Sequence, residues 1–164
     1  MPDNILFIDL ETTSLFLSEC KIVQIGMIFN NKTSSILINP ECPIPIEATN
    51  VHHITDEMVK DSPTFKTISD RFLRLWNQSE YICGYNLRNY DYNVLYIEFL
   101  RCGIELPRKP IIDVYEMVKG FENNRKLSSV YLRYFGEKLE GNHDALNDIK
   151  AARSIFIYIK NKLK

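Results

Sequence analysis

Asp9 and Glu11 stand two residues apart in Ile5-Leu6-Phe7-Ile8-Asp9-Leu10-Glu11-Thr12-Thr13-Ser14-Leu15, a run of strand-forming residues. Side chains alternate across a strand, so both carboxylates share a face with Phe7, while Ile8 and Leu10 take the other. Two unpaired carboxylates side by side repel and lose hydration, a cost that a positive group between them offsets. No Lys or Arg precedes Lys21. A divalent metal is therefore the leading reading, and hard oxygen donors suit magnesium or manganese rather than zinc. The competing reading is a strand that ends in an exposed Glu-Thr-Thr-Ser loop.

Two later positions bear on that pair. Asp91 closes the stretch Gly84-Tyr85-Asn86-Leu87-Arg88-Asn89-Tyr90-Asp91, just past the carboxyl end of a short strand, the edge where open α/β sheets place their sites. Its other reading is a cap on the helix that follows. In His143-Asp144-Ala145-Leu146-Asn147-Asp148, the helical spacing turns Asp148 inward beside Ala145, Ile149 and Ala152. Asp144 reads as the cap, and His143 hangs over whatever Asp148 reaches. The adjacent His52 and His53 also attract a metal reading, but neighbouring side chains point apart on a strand or a helix and do not easily chelate one ion.

The elements that must position these groups follow from periodicity. Residues 21–29 and 34–39 read as two strands joined by the turn Asn30-Asn31-Lys32, which with the first strand makes an antiparallel meander. Residues 40–45 read as a loop, and the histidine pair also reads as loop, just before a short helix capped by Thr55. Phe65, Ile68, Phe72 and Leu75 recur at helical spacing, so a helix spans roughly 62–76. A buried strand at 81–85, a helix from 91 to 101, a strand at 110–113 and helices to 119 and over 126–135 follow, and the last helix runs from about 144 almost to the end. The expected fold is an α/β sandwich with a mixed sheet of about five strands flanked by helices.

With 164 residues, 45% of them hydrophobic, the chain fits one compact domain over 1–164. Cys20, Cys42, Cys83 and Cys102 are scattered with no CxxC pair, which argues against zinc and disulfides and predicts reduced, mostly buried thiols. No apolar run approaches the ~20 residues of a membrane span, and no basic segment leads into an apolar signal core, so the expectation is a soluble, cytoplasmic protein with no membrane partner. The net charge of −1 hides an asymmetry: residues 1–82 hold 6 Lys/Arg against 11 Asp/Glu, and residues 83–164 hold 14 against 10. That suits a modest phosphate-tracking surface and excludes a strongly basic nucleic-acid clamp.

Asp9-Leu10-Glu11-Thr12-Thr13, His52-His53-Ile54-Thr55, Gly84-Tyr85-Asn86 through Tyr90-Asp91, and His143-Asp144-Ala145 with Asp148 together resemble the motifs of the DnaQ-like 3′→5′ exonucleases, the DEDDh group of the ribonuclease-H-like superfamily. The resemblance covers nearly the whole chain. It implies two Mg2+ ions, with Mn2+ as a substitute, held by Asp9, Glu11, Asp91 and Asp148, with Asp9 bridging them. Two ions about 3.5–4 Å apart supply a nucleophile and relieve charge on the phosphoryl oxygens. His143 is the implied general base, a role suited to an ordinary pKa near 6.5, and neighbouring carboxylates are expected to raise that value. Leu10 and Thr12 would hold the terminal nucleotide through their backbone, Leu15 and Ile54 would pack on its base, and His52 and Asn86 complete the substrate set.

The implied activity is 3′→5′ trimming of single-stranded nucleic acid, DNA favoured, releasing nucleoside monophosphates. Alternatives are an RNA-processing exoribonuclease, a trimming accessory in a replication, repair or CRISPR-type complex, and a non-catalytic nucleic-acid-binding module. Three positions depart from the family pattern. Ser14 replaces the usual Gly, Tyr85 a common His, and His53 the Gly of the His-Gly-Ile-Thr signature.

Overall fold

A computed structural model describes residues 4–163. β1 (Ile5–Thr12) pairs antiparallel with β2 (Ile22–Phe29), which turns back into β3 (Lys32–Leu37). β4 (Tyr81–Gly84) and β5 (Ile111–Asp113) add in parallel on the other side of β1, giving the mixed five-stranded order β3-β2-β1-β4-β5. The β2–β3 turn is tighter than the sequence suggests. Asn30 and Asn31 both adopt left-handed conformations, with φ of 49° and 61°, as a two-residue primed hairpin turn requires and Asn tolerates. Pairing therefore starts at Phe29 opposite Lys32, and β3 ends at Leu37 rather than reaching residue 39.

Among the described residues, seven helices are numbered α1 to α7 in chain order: Ile46–His52, Asp56–Val59, Phe65–Gln78, Asp91–Arg101, Val114–Val118, Leu127–Phe135 and Ala145–Lys162. α1 occupies a stretch that the sequence reading leaves unassigned, and the histidine pair stands at its end rather than in a loop. Only His52 among its seven residues is buried, so no apolar stripe announces it. His53 follows as a left-handed cap with φ of 61°, a conformation that favours Gly, which explains why the resembling signature carries Gly there.

The alternation in β1 sorts the core into two layers. Leu6, Ile8 and Leu10 face α3 and α4, where Phe65 packs edge to face on Phe99 and the Phe72 ring lies tilted between Trp76 and Phe99. Ile5 and Phe7 face the other layer, with Val114, Val130, Ile149, Ile155 and Phe156 from α5, α6 and α7. The Thr64 hydroxyl accepts from the Thr67 N–H and caps α3, a contact worth about 1 kcal/mol. Trp76 is fully buried and its indole N–H donates to the Pro107 carbonyl at 2.9 Å, so burial leaves no orphaned donor. Glu98 is buried on α4 and ion-paired with Arg101, whose guanidinium also donates to the Cys20 carbonyl at 2.7 Å, fixing α4 against the connection that leaves β1. All four cysteines are free, and Cys42, unlike Cys20 and Cys83, is exposed. No helix among the described residues is long and apolar enough to cross a membrane.

Candidate active site

Asp9 and Glu11 project from the α7 face of β1, and Asp148 enters from the first turn of α7. Their meeting depends on Gly26, the cross-strand partner of Asp9. A Cβ at Gly26 would lie 2.3 Å from the Ala145 carbonyl oxygen, so only glycine lets the start of α7 come down onto the sheet. Asp144 caps that start by accepting from the Leu146 and Asn147 N–H groups at 3.1 and 3.0 Å. Asp91 comes from the opposite side, at the head of α4. Its Oδ1 accepts the Leu10 N–H at 3.0 Å, taking over the ladder of β1 where β4 has ended.

The segment between β4 and α4 is shaped by Asp113, which the sequence reading passes over. Its carboxylate accepts from the N–H groups of Asn86, Arg88 and Tyr115 at 2.9, 2.9 and 3.0 Å, which leaves Asn86 left-handed with φ of 58°. Tyr90 is also unforeseen: its hydroxyl meets Thr12 Oγ1 at 2.6 Å and donates to the Ser14 carbonyl at 2.5 Å, tying the end of β1 to the head of α4. The polar residue at the close of an otherwise apolar strand for Asp113, and the glycine inside one for Gly26, are the signals available in the sequence.

Ten of the eleven residues singled out by sequence line one cavity of about 1020 Å³. They are Asp9, Glu11, Asp91, His143 and Asp148 at its acidic end, and Leu10, Thr12, Leu15, His52 and Asn86 around them. Ile54 does not. It is 3% exposed and packs with Val23, Ile44 and Val59, so its side chain belongs to a core cluster and cannot meet a base from this cavity. His52 is buried, and its Nδ1 accepts the Ile54 N–H at 3.0 Å, so it braces this corner as well as lining the wall. Leu15 and its neighbour Phe16 are 83% and 73% exposed at the rim, and Phe16 is a lining residue the motifs did not suggest.

The electrostatics are those of crowded like charges. Burial, then Asp91, Asp148, Glu11 and Asp144, push the Asp9 carboxyl well above its usual range. Burial, then Asp148, Asp91 and Asp144, push Glu11 up to about 8. Burial raises Asp148 to about 6, and Asp91 also rises although two backbone hydrogen bonds pull it back. Asp148 Oδ2 accepts the His143 N–H at 3.1 Å, while its buried Oδ1 has no hydrogen-bond partner among the described residues. Donor atoms of Glu11, His143 and Asp148 lie within 4.8 Å of one another. An orphaned carboxylate oxygen facing other carboxylates is the donor set that a hard divalent cation fits.

His143 corrects one expectation: its pKa is lowered, by desolvation and then by His53, rather than raised by the carboxylates. Those carboxylates are themselves held toward neutrality, so they offer the imidazolium little attraction.

The mixed sheet order with its flanking helices is the ribonuclease-H-like fold. Within it, the chain belongs to the RNase_T exonuclease family, whose sequence pattern matches residues 6–156. Among curated relatives, the uncharacterized exonuclease CP81 of Escherichia phage 186 is 36% identical over 110 residues, 64% of this chain and 54% of that protein. The DNA polymerase III subunit epsilon of Treponema pallidum is 28% identical over 158 residues, 90% of this chain and 72% of that one. The PolC-type DNA polymerase III of Caldanaerobacter subterraneus subsp. tengcongensis is 28% identical across 95% of this chain, which spans 11% of that polymerase. In fold, the chain superposes on a zinc-bound complex of E. coli exonuclease I with single-stranded DNA, with a TM-score of 0.84 at 16% identity, covering 99% of this chain and 41% of that one.

Proposed function

We propose that this exonuclease domain trims single-stranded nucleic acid, DNA in preference to RNA, from the 3′ end in a divalent-metal-dependent reaction that releases nucleoside monophosphates. The observation that carries the reading is the charge of the cavity. Asp9, Glu11, Asp91 and Asp148 are joined there by Glu19 and Glu47, and among the described residues no Lys or Arg lines it. Carboxyls crowded in this way release their protons once a divalent cation sits among them, and the cation then offsets the charge of a polyanionic substrate that would otherwise meet only acidic groups. Relatives named as a PolC-type DNA polymerase III and as a DNA polymerase III subunit epsilon support DNA as the substrate and a DNA polymerase complex as the partner.

Asp9, Glu11, Asp91 and Asp148 would hold the ions, Mg2+ or Mn2+, which when bound relieve charge at the scissile phosphoryl group and activate water at neutral pH. His143 accepts the proton of the attacking water through a ring whose lowered pKa keeps it neutral at pH 7. Thr12 and Asn86 border the place of the terminal nucleotide. Leu15, exposed at the rim, offers an apolar contact to a base face, which tolerates any sequence.

The test is a panel of matched single-stranded DNA, duplex DNA and RNA, labelled at the 5′ end and incubated with the purified chain and Mg2+ or Mn2+. Single-stranded DNA should give a ladder shortening from the 3′ end, abolished by chelation or by a blocked 3′ hydroxyl. No trimming with either metal would leave a binding module, and a circular strand cut as fast as a linear one would make the enzyme an endonuclease.

A further inference from the structure

One buried side chain on β2 takes no part in the chemistry described above yet touches the segment that carries two of its groups. Gln24 is 6% exposed and lies directly across from Glu11 in the β1–β2 ladder. Its amide makes three hydrogen bonds. Nε2 donates to Asp144 Oδ2 at 2.9 Å and to Ser35 Oγ at 3.1 Å, and Oε1 accepts the Ala145 N–H at 3.0 Å.

The consequence for the head of α7 is specific. Ala145 N–H is one of the orphaned donors at a helix start, and Gln24 supplies its acceptor. Asp144 Oδ1 is already occupied by the Leu146 and Asn147 N–H groups, so Gln24 engages the remaining oxygen and fixes the carboxylate plane. His143, immediately before, is held left-handed with φ of 68°, and its N–H reaches Asp148 Oδ2. One amide on β2, two residues from Gly26, thereby sets where the His143 ring and the Asp148 carboxylate stand relative to Glu11.

We infer that Gln24 is a positioning residue for the carboxylate–histidine site, and that its amide is required because it presents a donor to Asp144 and an acceptor to Ala145 at once. Glutamate has the same shape and keeps the acceptor, but it would set a carboxylate against that of Asp144 at hydrogen-bond distance. Methionine keeps the volume and provides neither bond. The inference rests on the exonuclease reading only for its kinetic consequence; the geometry of the site is the claim.

The experiment compares wild type, Q24M, Q24E and the double variant Q24E/D144N, which exchanges amide and carboxylate across the same contact and restores the net charge. Mn2+ binding to each chain is measured by calorimetry without substrate, and trimming of a single-stranded DNA oligonucleotide gives kcat and KM. Groups that orient metal ligands typically matter by 10–100-fold. Q24M and Q24E should therefore weaken Mn2+ binding by about 10–100-fold and lower kcat by a similar factor. KM should stay within about twofold, and Q24E/D144N should recover most of both losses.

A residue that merely stabilises the fold would lower the melting temperature and leave Mn2+ affinity and kcat of the folded fraction intact, which would overturn the inference. So would a double variant no better than Q24E. A wild-type chain that binds Mn2+ but trims nothing would overturn the exonuclease reading alone, because the Mn2+ comparison still decides on Gln24. A wild-type chain that binds no Mn2+ would overturn both.

Discussion

Replacing Glu11 by Gln should stabilise the metal-free protein. The Glu11 carboxyl is buried beside Asp148 and Asp91 and titrates at about 8 in the folded chain, against an ordinary value of 4.5. Below pH 4.5 both folded and unfolded chains hold the proton, and the group contributes nothing. Between 4.5 and 8 the unfolded chain releases it while the folded chain retains it, so stability falls as pH rises across that window. Each pKa unit corresponds to about 1.4 kcal/mol, so at pH 7 the roughly 2.5 units already traversed cost the wild-type fold about 3 kcal/mol. Glutamine carries no such slope, but its buried amide still needs partners, and the remaining carboxylates relax once Glu11 is gone. The net gain should be about 1–3 kcal/mol at pH 7. For a chain of this length that is a rise of about 3–9 °C in melting temperature.

Thermal melts of wild type and E11Q in chelator, from pH 4.5 to 8.5, would show the two curves together at the acid end and separating upward. Adding Mg2+ should raise the wild-type melting temperature and narrow the gap, because a ligand that binds only the folded state stabilises it. An E11Q protein that melts below wild type at every pH in chelator would refute the reasoning, since Glu11 would then be a structural anchor. A wild-type melting temperature indifferent to Mg2+ and Mn2+ would refute the cation as the missing partner.

H143A should lower kcat at pH 7–8 by about 10²–10⁴-fold, the usual contribution of a general base, with Mn2+ affinity little changed. The acid limb of the wild-type kcat profile should fall below pH 6.5, because desolvation and His53 lower the pKa of His143; a limb above 6.5, or near-normal turnover in H143A, would reject the assignment. G26A should lose trimming together with about 1–3 kcal/mol of stability, because a Cβ 2.3 Å from the Ala145 oxygen meets backbone that cannot rotate away. Chemical denaturation and the trimming assay would check it, and a G26A chain of wild-type stability would mean that α7 has room to shift.

The carboxylates that meet in the cavity were legible because each of them breaks a local rule. Two carboxylates in an apolar strand, an aspartate past a strand end and an inward aspartate on an apolar helix face are each hard to explain as packing. The strands and the four longest helices, α3, α4, α6 and α7, were legible through alternation and helical spacing. α1 was hidden because its buried side is a single histidine. Ile54 was misplaced for a related reason: a motif fixes the order of residues but not which wall of a loop faces inward, and the cap at His53 turns Ile54 toward Val23 and Val59. The lowered pKa of His143 comes first from desolvation in the folded cavity and then from His53, 90 residues away in the chain, and no spacing rule encodes either. Tyr90 and Asp113 likewise act through bonds to segments remote in sequence.

The pairing of β1 with β2 has a bearing on how the chain can go wrong. The two strands are not joined by a tight turn; residues 13–21 connect them, and the ladder shifts by one residue between Glu11 and Thr12. A slide of two residues would preserve which side chains face each layer, so hydrophobic patterning alone does not forbid it. It would, however, move the glycine away from Asp9 and set a bulkier residue beneath the Ala145 backbone. What pins the alignment is local: the Thr13 N–H to the Lys21 carbonyl at 2.9 Å, the Lys21 N–H to Thr13 Oγ1 at 3.0 Å, and the seat that Gly26 offers to α7. Misaligned molecules would keep native-like helix and sheet content while lacking a working site. For this architecture, the fraction of active molecules after refolding measures a choice of alignment, and spectroscopic recovery of secondary structure does not.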